Sequence, residues 1–194
     1  MGGETSKVVG PPTKEQCEEL ASRTNFTATE VSALYKHFIK ISQSLTPDGL
    51  IDIQEFRAVL GVQDSPFINR VFAAFDQDGD ANVDFVEFVL GLSALSPVAT
   101  IEEKAAFCFK IYDIDGNGQI EKPELTEVLS YSLGTNSAVK IPEQQLQRII
   151  DATFRAMDTN GDGMISFEEF KEQALRNQSI LNCVTLDVSR LTRS

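Results

Sequence analysis

The sequence contains few of the residues on which disulfide-rich, zinc-binding and hydrolytic proteins depend. It has three cysteines, one histidine and no tryptophan among 194 residues. Cys17, Cys108 and Cys183 are far apart and form no CxxC or Cys/His pattern, so neither a disulfide framework nor a zinc site is predicted. His37 is the lone histidine, on an amphipathic helical pattern, which indicates a structural role and argues against a hydrolytic triad. We therefore expect no catalytic residues and no enzyme activity.

Long apolar runs and an excess of basic residues are also lacking. No run approaches the roughly 20 residues that a transmembrane helix requires, and the N-terminus has no apolar stretch of the secretory type. Because no disulfide pattern is present, a reducing compartment is the default, and we expect a cytoplasmic protein. The 17 Lys and Arg against 29 Asp and Glu argue against nucleic-acid binding, since neutralising phosphates requires clustered positive charge.

What the sequence does contain is negative charge in three short segments. The net charge is −12, and residues 76–87, 113–124 and 158–169 hold thirteen carboxylates and one lysine, so these segments carry all of it. A solubilising surface spreads its charges over the molecule instead. The concentration of charge therefore indicates three anionic loops with a specific role.

Helical periodicity dominates the chain from residue 27 onward. Thr27 and Glu30 form a predicted capping box, and Val31, Leu34 and Phe38 recur on one helical face. Similar apolar faces follow at 67–75, 85–92, 105–112, 125–131, 146–157 and 167–175. We predict an all-α fold, preceded by a flexible tail over 1–26 in which 14–23 is an alternative short helix.

Each acidic loop lies between two predicted helices, so the chain repeats a helix–loop–helix unit. A weaker fourth copy lies one period upstream, from Ser44 to Glu55, and leads into a predicted helix over Ile53–Leu60. A unit of this size cannot bury its own apolar face and has to pair with a neighbour. We predict an N-terminal pair over 27–95, a C-terminal pair over 96–178 and a tail over 179–194.

The third and fourth loops match the twelve-residue EF-hand pattern throughout. Oxygen side chains at positions one, three and five surround a hard cation, the carbonyl of position seven adds a ligand, and glutamate at position twelve contributes two oxygens. Gly118 and Gly163 permit a positive φ at position six, and Ile120 and Ile165 at position eight are expected to pair. We predict Ca²⁺ at Asp113, Asp115, Asn117, Gln119 and Glu124, and at Asp158, Asn160, Asp162, Met164 and Glu169. The fold expected is thus the EF-hand (calmodulin-like) superfold.

The second loop keeps every ligand oxygen but has Ala81 at position six. An alanine at positive φ costs on the order of 1 kcal/mol, which the high carboxylate charge of the loop can offset. We expect Ca²⁺ here too, at Asp76, Asp78, Asp80, Asn82 and Glu87. Calcium is preferred to magnesium because each of these loops ends in a glutamate, whose bidentate binding suits a large coordination shell.

The first loop departs from the pattern. Ser44 and Thr46 occupy positions one and three, so Asp48 and Glu55 are the clear oxygen ligands. Two interpretations stay open for this loop. It is either a structural partner of the second loop or a weak site that depends on backbone oxygens.

A chain with such loops can sense or buffer calcium. In a sensor, ion binding changes the angle between helices and exposes an apolar groove for a partner helix. Only two methionines follow the initiator, which favours a dedicated partner over a promiscuous Met-rich surface. The alternative is that the candidate groove residues fill the lobes; they are Phe38, Phe56, Phe72, Phe88, Phe109 and Leu129.

The first seven residues fit the N-myristoylation pattern, with Gly2 as the acceptor and Ser6 at the required position. One myristoyl chain gives only marginal membrane attachment. We therefore expect reversible membrane association.

The four-hand layout resembles the calcineurin B-like calcium sensors over about 27–190. The resemblance is carried by 33–41, 42–52, the linker 95–104 and 177–186. It implies a serine/threonine kinase partner whose autoinhibitory helix enters the groove, and a first loop from Ser42 to Glu55 that holds calcium through backbone carbonyls. The chain departs from that family in ending without its aromatic tail.

A looser similarity, through 109–113 and 165–170, is to calcineurin B, the regulatory component of a calcium-activated phosphatase. It implies a phosphatase catalytic chain as the alternative partner. A plain calcium buffer is the third alternative.

Overall fold

The structure, a computed structural model, describes residues 10–61, 64–134 and 142–183. Within these residues the chain is mostly helical, as predicted, with two three-residue strands and one short 3₁₀ helix. The helices are α1 (Lys14–Ser22), α2 (Ala28–Ile41), α3 (Ile53–Leu60), α4 (Pro66–Phe75), α5 (Phe85–Ala94), α6 (Ile101–Tyr112), α7 (Lys122–Gly134), α8 (Glu143–Met157) and α9 (Phe167–Arg176). The strands are β1 (Gln119–Glu121) and β2 (Met164–Ser166), and the 3₁₀ helix is η1 (Gln178–Cys183). Among the described helices, none combines the length and the apolarity that crossing a membrane requires.

The N-terminal helices begin at capping boxes. At α2 the Thr27 hydroxyl accepts the Glu30 N–H and the Glu30 carboxylate accepts the Thr27 N–H, which confirms the predicted start. Thr13 and Gln16 form the same device at α1. Helix α1 buries Cys17 and Leu20 and packs against α2, so the short-helix alternative for this part of the tail is the one that the structure has.

The chain divides into two compact units. The first consists of the described parts of 10–64 and 72–99, and the second of 65–71 and the described parts of 100–183. These limits follow compactness and differ from the pairing of loops on which the predicted lobes rest. The lobe limits 27–95 and 96–178 therefore stay a prediction.

The core of the first unit is aromatic. Phe38 contacts Phe85 and Phe88, with ring centroids 5.4 and 5.6 Å apart, and Phe56 contacts Phe75 at 5.4 Å. These five side chains are at most 1% exposed. Large rings meeting edge to face fill the space between helices densely, and they leave no side chain of this cluster for a partner.

The second unit has a mixed aromatic and aliphatic core. Phe109 on α6 lies edge to face with Phe170 on α9, at 5.7 Å between ring centroids. Ile120 pairs with Ile165 in the antiparallel β1–β2 ladder, and both are fully buried, as predicted for position eight. Helix η1 packs against α6 and α9.

Candidate metal sites in the four loops

The second, third and fourth loops share one internal hydrogen-bond pattern. The carboxylate of position one accepts the N–H of position six, position three accepts the N–H of position five, and position five accepts the N–H of position seven. The first contact measures 2.9 Å from Asp76 to Ala81, 3.0 Å from Asp113 to Gly118 and 3.1 Å from Asp158 to Gly163. The other two measure 3.2 and 2.9 Å at Asp78 and Asp80, 3.0 and 2.8 Å at Asp115 and Asn117, and 2.8 and 2.9 Å at Asn160 and Asp162. Three sequences thus fold into the same successive turns.

Position twelve ties the two ends of each loop together. In the second loop, Oε1 of Glu87 accepts the N–H groups of Gln77 and Asp78 at 2.8 and 3.3 Å, while Oε2 accepts the N–H of Asp84 at 3.0 Å. Glu124 and Glu169 make the equivalent contacts with positions two, three and nine. Both carboxylate oxygens are therefore held at the loop, where bidentate binding of a cation needs them.

Position nine starts the exiting helix and fixes the glutamate. The Asp84 carboxylate accepts the Glu87 N–H at 2.9 Å, and the Ser166 hydroxyl accepts the Glu169 N–H at 3.4 Å, so each completes a capping box. The sequence-based assignment of ligands missed both residues. The signal was present, because each stands three residues before a glutamate at the start of an apolar run.

Two sets of carboxylates converge closely enough to share one cation. Asp76, Asp78 and Asp80 each place an oxygen within 4.8 Å of the others, and so do Asp113, Asp115 and Glu124. Within the described residues the carboxylates of the fourth loop do not form a third such set, since Asn160 supplies an amide at its position three. In the third loop, the buried Oε1 of Gln119 at position seven has no hydrogen-bond partner among the described residues. Hard oxygen donors and a buried oxygen left without a donor both fit Ca²⁺.

Position six takes the left-handed conformation in each of these three loops. Gly118 and Gly163 have φ of 84° and 86°, and Ala81 has φ of 65°. Among the described residues, Ala81 is the only one other than glycine with a positive φ. The second loop therefore keeps the predicted turn in spite of its Cβ, at the cost expected for alanine.

The position-twelve glutamates differ in their environment. Burial raises the pKa of the Glu87 carboxyl, although hydrogen bonds from the N–H groups of Asp84 and Gln77 lower it in part. For Glu169 the hydrogen bond from the Ser166 N–H dominates, and those from the Ser166 and Thr159 hydroxyls add to it, which lowers the pKa to about 2. Glu169 is thus a carboxylate at neutral pH, the form that binds a cation.

The first loop keeps only part of this architecture. Oε1 of the buried Glu55 accepts the N–H groups of Leu45 and Thr46 at 3.1 and 3.3 Å, as expected for position twelve in a frame that begins at Ser44. Asp48 accepts the N–H of Leu50 at 2.9 Å. The longer frame implied by the resemblance begins at Ser42, but that residue caps α2 through an N–H bond to the Phe38 carbonyl.

The first loop also pairs with the second. The N–H of Ile51 donates to the carbonyl of Val83 at 3.0 Å, and the N–H of Val83 donates to that of Ile51 at 2.9 Å. This bridge supports a role as structural partner. With Asp48 and Glu55 as its carboxylate ligands, we do not count the first loop among the calcium sites proposed below.

The candidate groove residues lie elsewhere than expected. Phe38, Phe56, Phe72, Phe88 and Phe109 are at most 6% exposed, and Leu129 is half-buried. The expectation that these phenylalanines form an open groove is therefore wrong for this structure, because their periodicity reports burial and not what covers them. The large apolar side chains that are exposed within the described residues are Leu45, Val98, Tyr131, Ile149, Met164 and Leu175.

Comparisons with known proteins agree with this geometry. Residues 102–175 match the family model of the EF-hand domain pair. The chain is 39% identical to the calcineurin B subunit of Candida glabrata over 97% of this chain and 99% of that protein. It is 41% identical to the Schizosaccharomyces pombe protein of that name over 88% of this chain and 94% of the relative, and 38% identical to the Naegleria gruberi protein over 96% and 99%.

These matches confirm the EF-hand fold, calcium as the ligand and the resemblance to calcineurin B. They favour the looser of the two resemblances, since each of these relatives carries the name of the calcineurin B subunit. The chain belongs to the calcineurin B family of calcium-binding EF-hand proteins.

Proposed function

We propose that this chain is the regulatory subunit of a calcineurin-type, calcium-dependent protein phosphatase. The observation that carries the proposal is similarity to proteins named as calcineurin B over nearly the whole of both partners of each alignment. The chain supplies the calcium response, and the chemistry belongs to a separate catalytic chain. The matches lend no comparable support to the kinase partner, which was our first expectation from the sequence.

The proposed calcium ligands are those of the second, third and fourth loops. Bound calcium supplies a hard cationic centre that draws oxygens from both ends of a loop together. Glu87, Glu124 and Glu169 lie in the first turn of α5, α7 and α9, so a shift of the carboxylate is a shift of the exiting helix. The pairs Ile51–Val83 and Ile120–Ile165 connect neighbouring loops, so that a change in one reaches the other.

The proposed docking surface for the catalytic chain lies on the second unit. Tyr131 on α7, Ile149 on α8 and Leu175 on α9 are 37%, 37% and 58% exposed. Helix α8 packs against both α7 and α9, so these side chains lie on three neighbouring helices. An amphipathic helix of the catalytic chain can bury its apolar face against such a surface.

Affinity purification tests the partner. The tagged chain is used to capture proteins in calcium and is then eluted with a chelator, and the co-eluting catalytic chain is identified by mass spectrometry. We expect a calcineurin-type phosphatase chain. A protein kinase in its place overturns the proposal, and recovery of no partner favours a calcium buffer.

The docking surface has a matched control. Leu175 and Leu45 are exposed to 58% and 59%, but Leu45 lies in the first loop. We expect Leu175→Asn to weaken binding of the catalytic chain several-fold, and Leu45→Asn to leave it unchanged. Equal effects of the two substitutions contradict this location.

We also propose reversible membrane association through a myristoyl group on Gly2, which lies outside the described residues. The support is the sequence pattern alone. Mass spectrometry of the protein from its native cell should show a mass increase on Gly2, and Gly2→Ala should abolish binding to phospholipid vesicles. An unmodified Gly2 rules the mechanism out.

A further inference from the structure

The third loop is held from outside by an arginine of another hand. Nη2 of Arg70, on α4, donates hydrogen bonds to the carbonyl oxygens of Asp113 and Ile114, at 3.2 and 3.1 Å. Asp113 and Ile114 are positions one and two of the third loop. Among the described residues, no side chain donates to the corresponding carbonyls of the second or fourth loop. The third loop therefore has a support that the other two lack.

The contact lies where a loop most needs one. Helix α6 ends at Tyr112 with Asp113 as its C-cap, and the last carbonyls of a helix have no partner within it. A guanidinium at this end satisfies two carbonyls and also interacts favourably with the helix dipole. Arg70 thus fixes the direction in which the chain leaves α6 and enters the loop.

The same two residues take part in the internal bonds of the loop. The N–H of Ile114 donates to Glu124 at 2.7 Å, and the Asp113 carboxylate accepts the N–H groups of Asn117 and Gly118. Arg70 holds the carbonyl side of this segment while the loop holds its N–H side. The buried Nε of Arg70 has no hydrogen-bond partner among the described residues, so the carbonyl contacts account for the hydrogen bonding of the guanidinium.

Helix α4 is also the entering helix of the second loop. It ends at Phe75, directly before Asp76, and the N–H of Asp76 continues its hydrogen-bond ladder to Phe72 at 3.0 Å. Any rotation or shift of α4 on loading of the second loop moves Arg70 with it. The third loop is therefore linked to its neighbour by chain continuity and by two hydrogen bonds.

We propose that Arg70 is a positioning residue for calcium in the third loop and makes calcium affinity there depend on the second loop. The inference rests on the proposed calcium site of the third loop. Its sign is diagnostic, because removing a positive charge near a cation site by itself raises affinity. A loss of affinity in Arg70→Met thus reports lost positioning and not lost charge.

The experiment is a calcium titration in chelator buffers, followed by NMR. The amide of Gly118 reports the third loop and that of Gly163 the fourth. We expect Arg70→Met to weaken calcium binding at Gly118 about three- to tenfold and to leave Gly163 within twofold. Arg70→Lys, which retains the charge and one donor group, should restore part of the loss. Arg148→Met, which removes an exposed arginine of α8 in the same unit, is the control and should change neither.

The link between loops is tested in the same way with Glu87→Gln, which disables the second loop. We expect this change to shift the affinity at Gly118 at least twofold in the wild-type background and not in Arg70→Met. Wild-type affinity at Gly118 in Arg70→Met, or equal losses at both glycines, overturns the proposal. A Gly118 response that survives Glu124→Gln instead removes the third-loop site itself, so the two failures are distinguishable.

Discussion

At the scale of single residues, the position-twelve glutamate is the connection between ion and helix. Glu124 and Glu169 each accept hydrogen bonds on both carboxylate oxygens from the two ends of their loop. A glutamine keeps the shape but offers one carbonyl oxygen and no charge. We expect Glu124→Gln and Glu169→Gln each to remove one calcium from the stoichiometry measured by calorimetry. Glu121→Gln, an exposed change of the same kind at position nine, should retain it; unchanged stoichiometry in both loop variants contradicts the ligand assignment.

Ala81 gives a prediction in the opposite direction. Its φ of 65° is costly for a residue with a Cβ. Ala81→Gly should remove a strain of on the order of 1 kcal/mol and raise the calcium affinity of the second loop by up to about fivefold. The measure is a titration that resolves this loop, with Gly118→Ala as the mirror-image change, expected to weaken the third loop. A lower affinity in Ala81→Gly is inconsistent with a strained turn.

The lowered pKa of Glu169 predicts a dependence of stability on pH. A carboxyl with a pKa of about 2 in the folded protein and a normal value when unfolded stabilises the fold above pH 4.5, and this stabilisation is lost as the pH falls towards 2. In chelator, urea unfolding should show wild type more stable than Glu169→Gln at pH 7. The two should converge as the pH falls through that window. A constant difference from pH 7 to pH 2 means that the hydrogen bonds of Glu169 do not favour its charged form.

At the scale of elements, helix α5 depends on the absence of a side chain. A Cβ built on Gly91 collides with the ring of Phe75, which is fully buried. Intrinsic propensity predicts that Gly91→Ala stabilises the helix by about 1 kcal/mol, whereas overpacking predicts a loss of about 1–3 kcal/mol. We expect the loss in chemical unfolding, partly relieved when Phe75→Leu is combined with it. A gain in stability means that Phe75 moves aside without cost.

Local signals were enough to predict most of the elements. The predicted helix after the first loop coincides with α3, the capping box at Thr27 starts α2, and Ile120 pairs with Ile165. Each of these depends on residues within a few positions or on a repeated motif. Apolar periodicity could not distinguish a phenylalanine that fills the core from one that awaits a partner, and so the expected groove was wrong.

Long-range contacts were beyond the sequence for a physical reason. The bond from Arg70 to the third loop joins positions 43 and 44 residues apart, and neither a motif nor a period marks the donor. The bridge between Ile51 and Val83 was accessible only as an expectation that the first loop pairs with the second. Such contacts depend on how helices pack, which one sequence without relatives does not reveal.

At the scale of the whole molecule, the charge of −12 belongs to three loops, and the remaining residues carry equal numbers of acids and bases. Three bound Ca²⁺ ions would bring six positive charges to these loops and none to the rest of the chain. The proposed apolar surface for a partner is formed by α7, α8 and α9, outside these loops. Calcium input and partner output are therefore connected through helix position, with the position-twelve glutamates as the link.

This central claim is tested most directly by reconstitution. A purified calcineurin-type catalytic chain is assayed on a phosphopeptide with the wild-type chain or with the triple variant Glu87→Gln/Glu124→Gln/Glu169→Gln, across a range of free calcium. The account predicts calcium-dependent phosphatase activity with wild type and a loss of that dependence with the triple variant. Equal activity and equal calcium dependence with the two chains would contradict it.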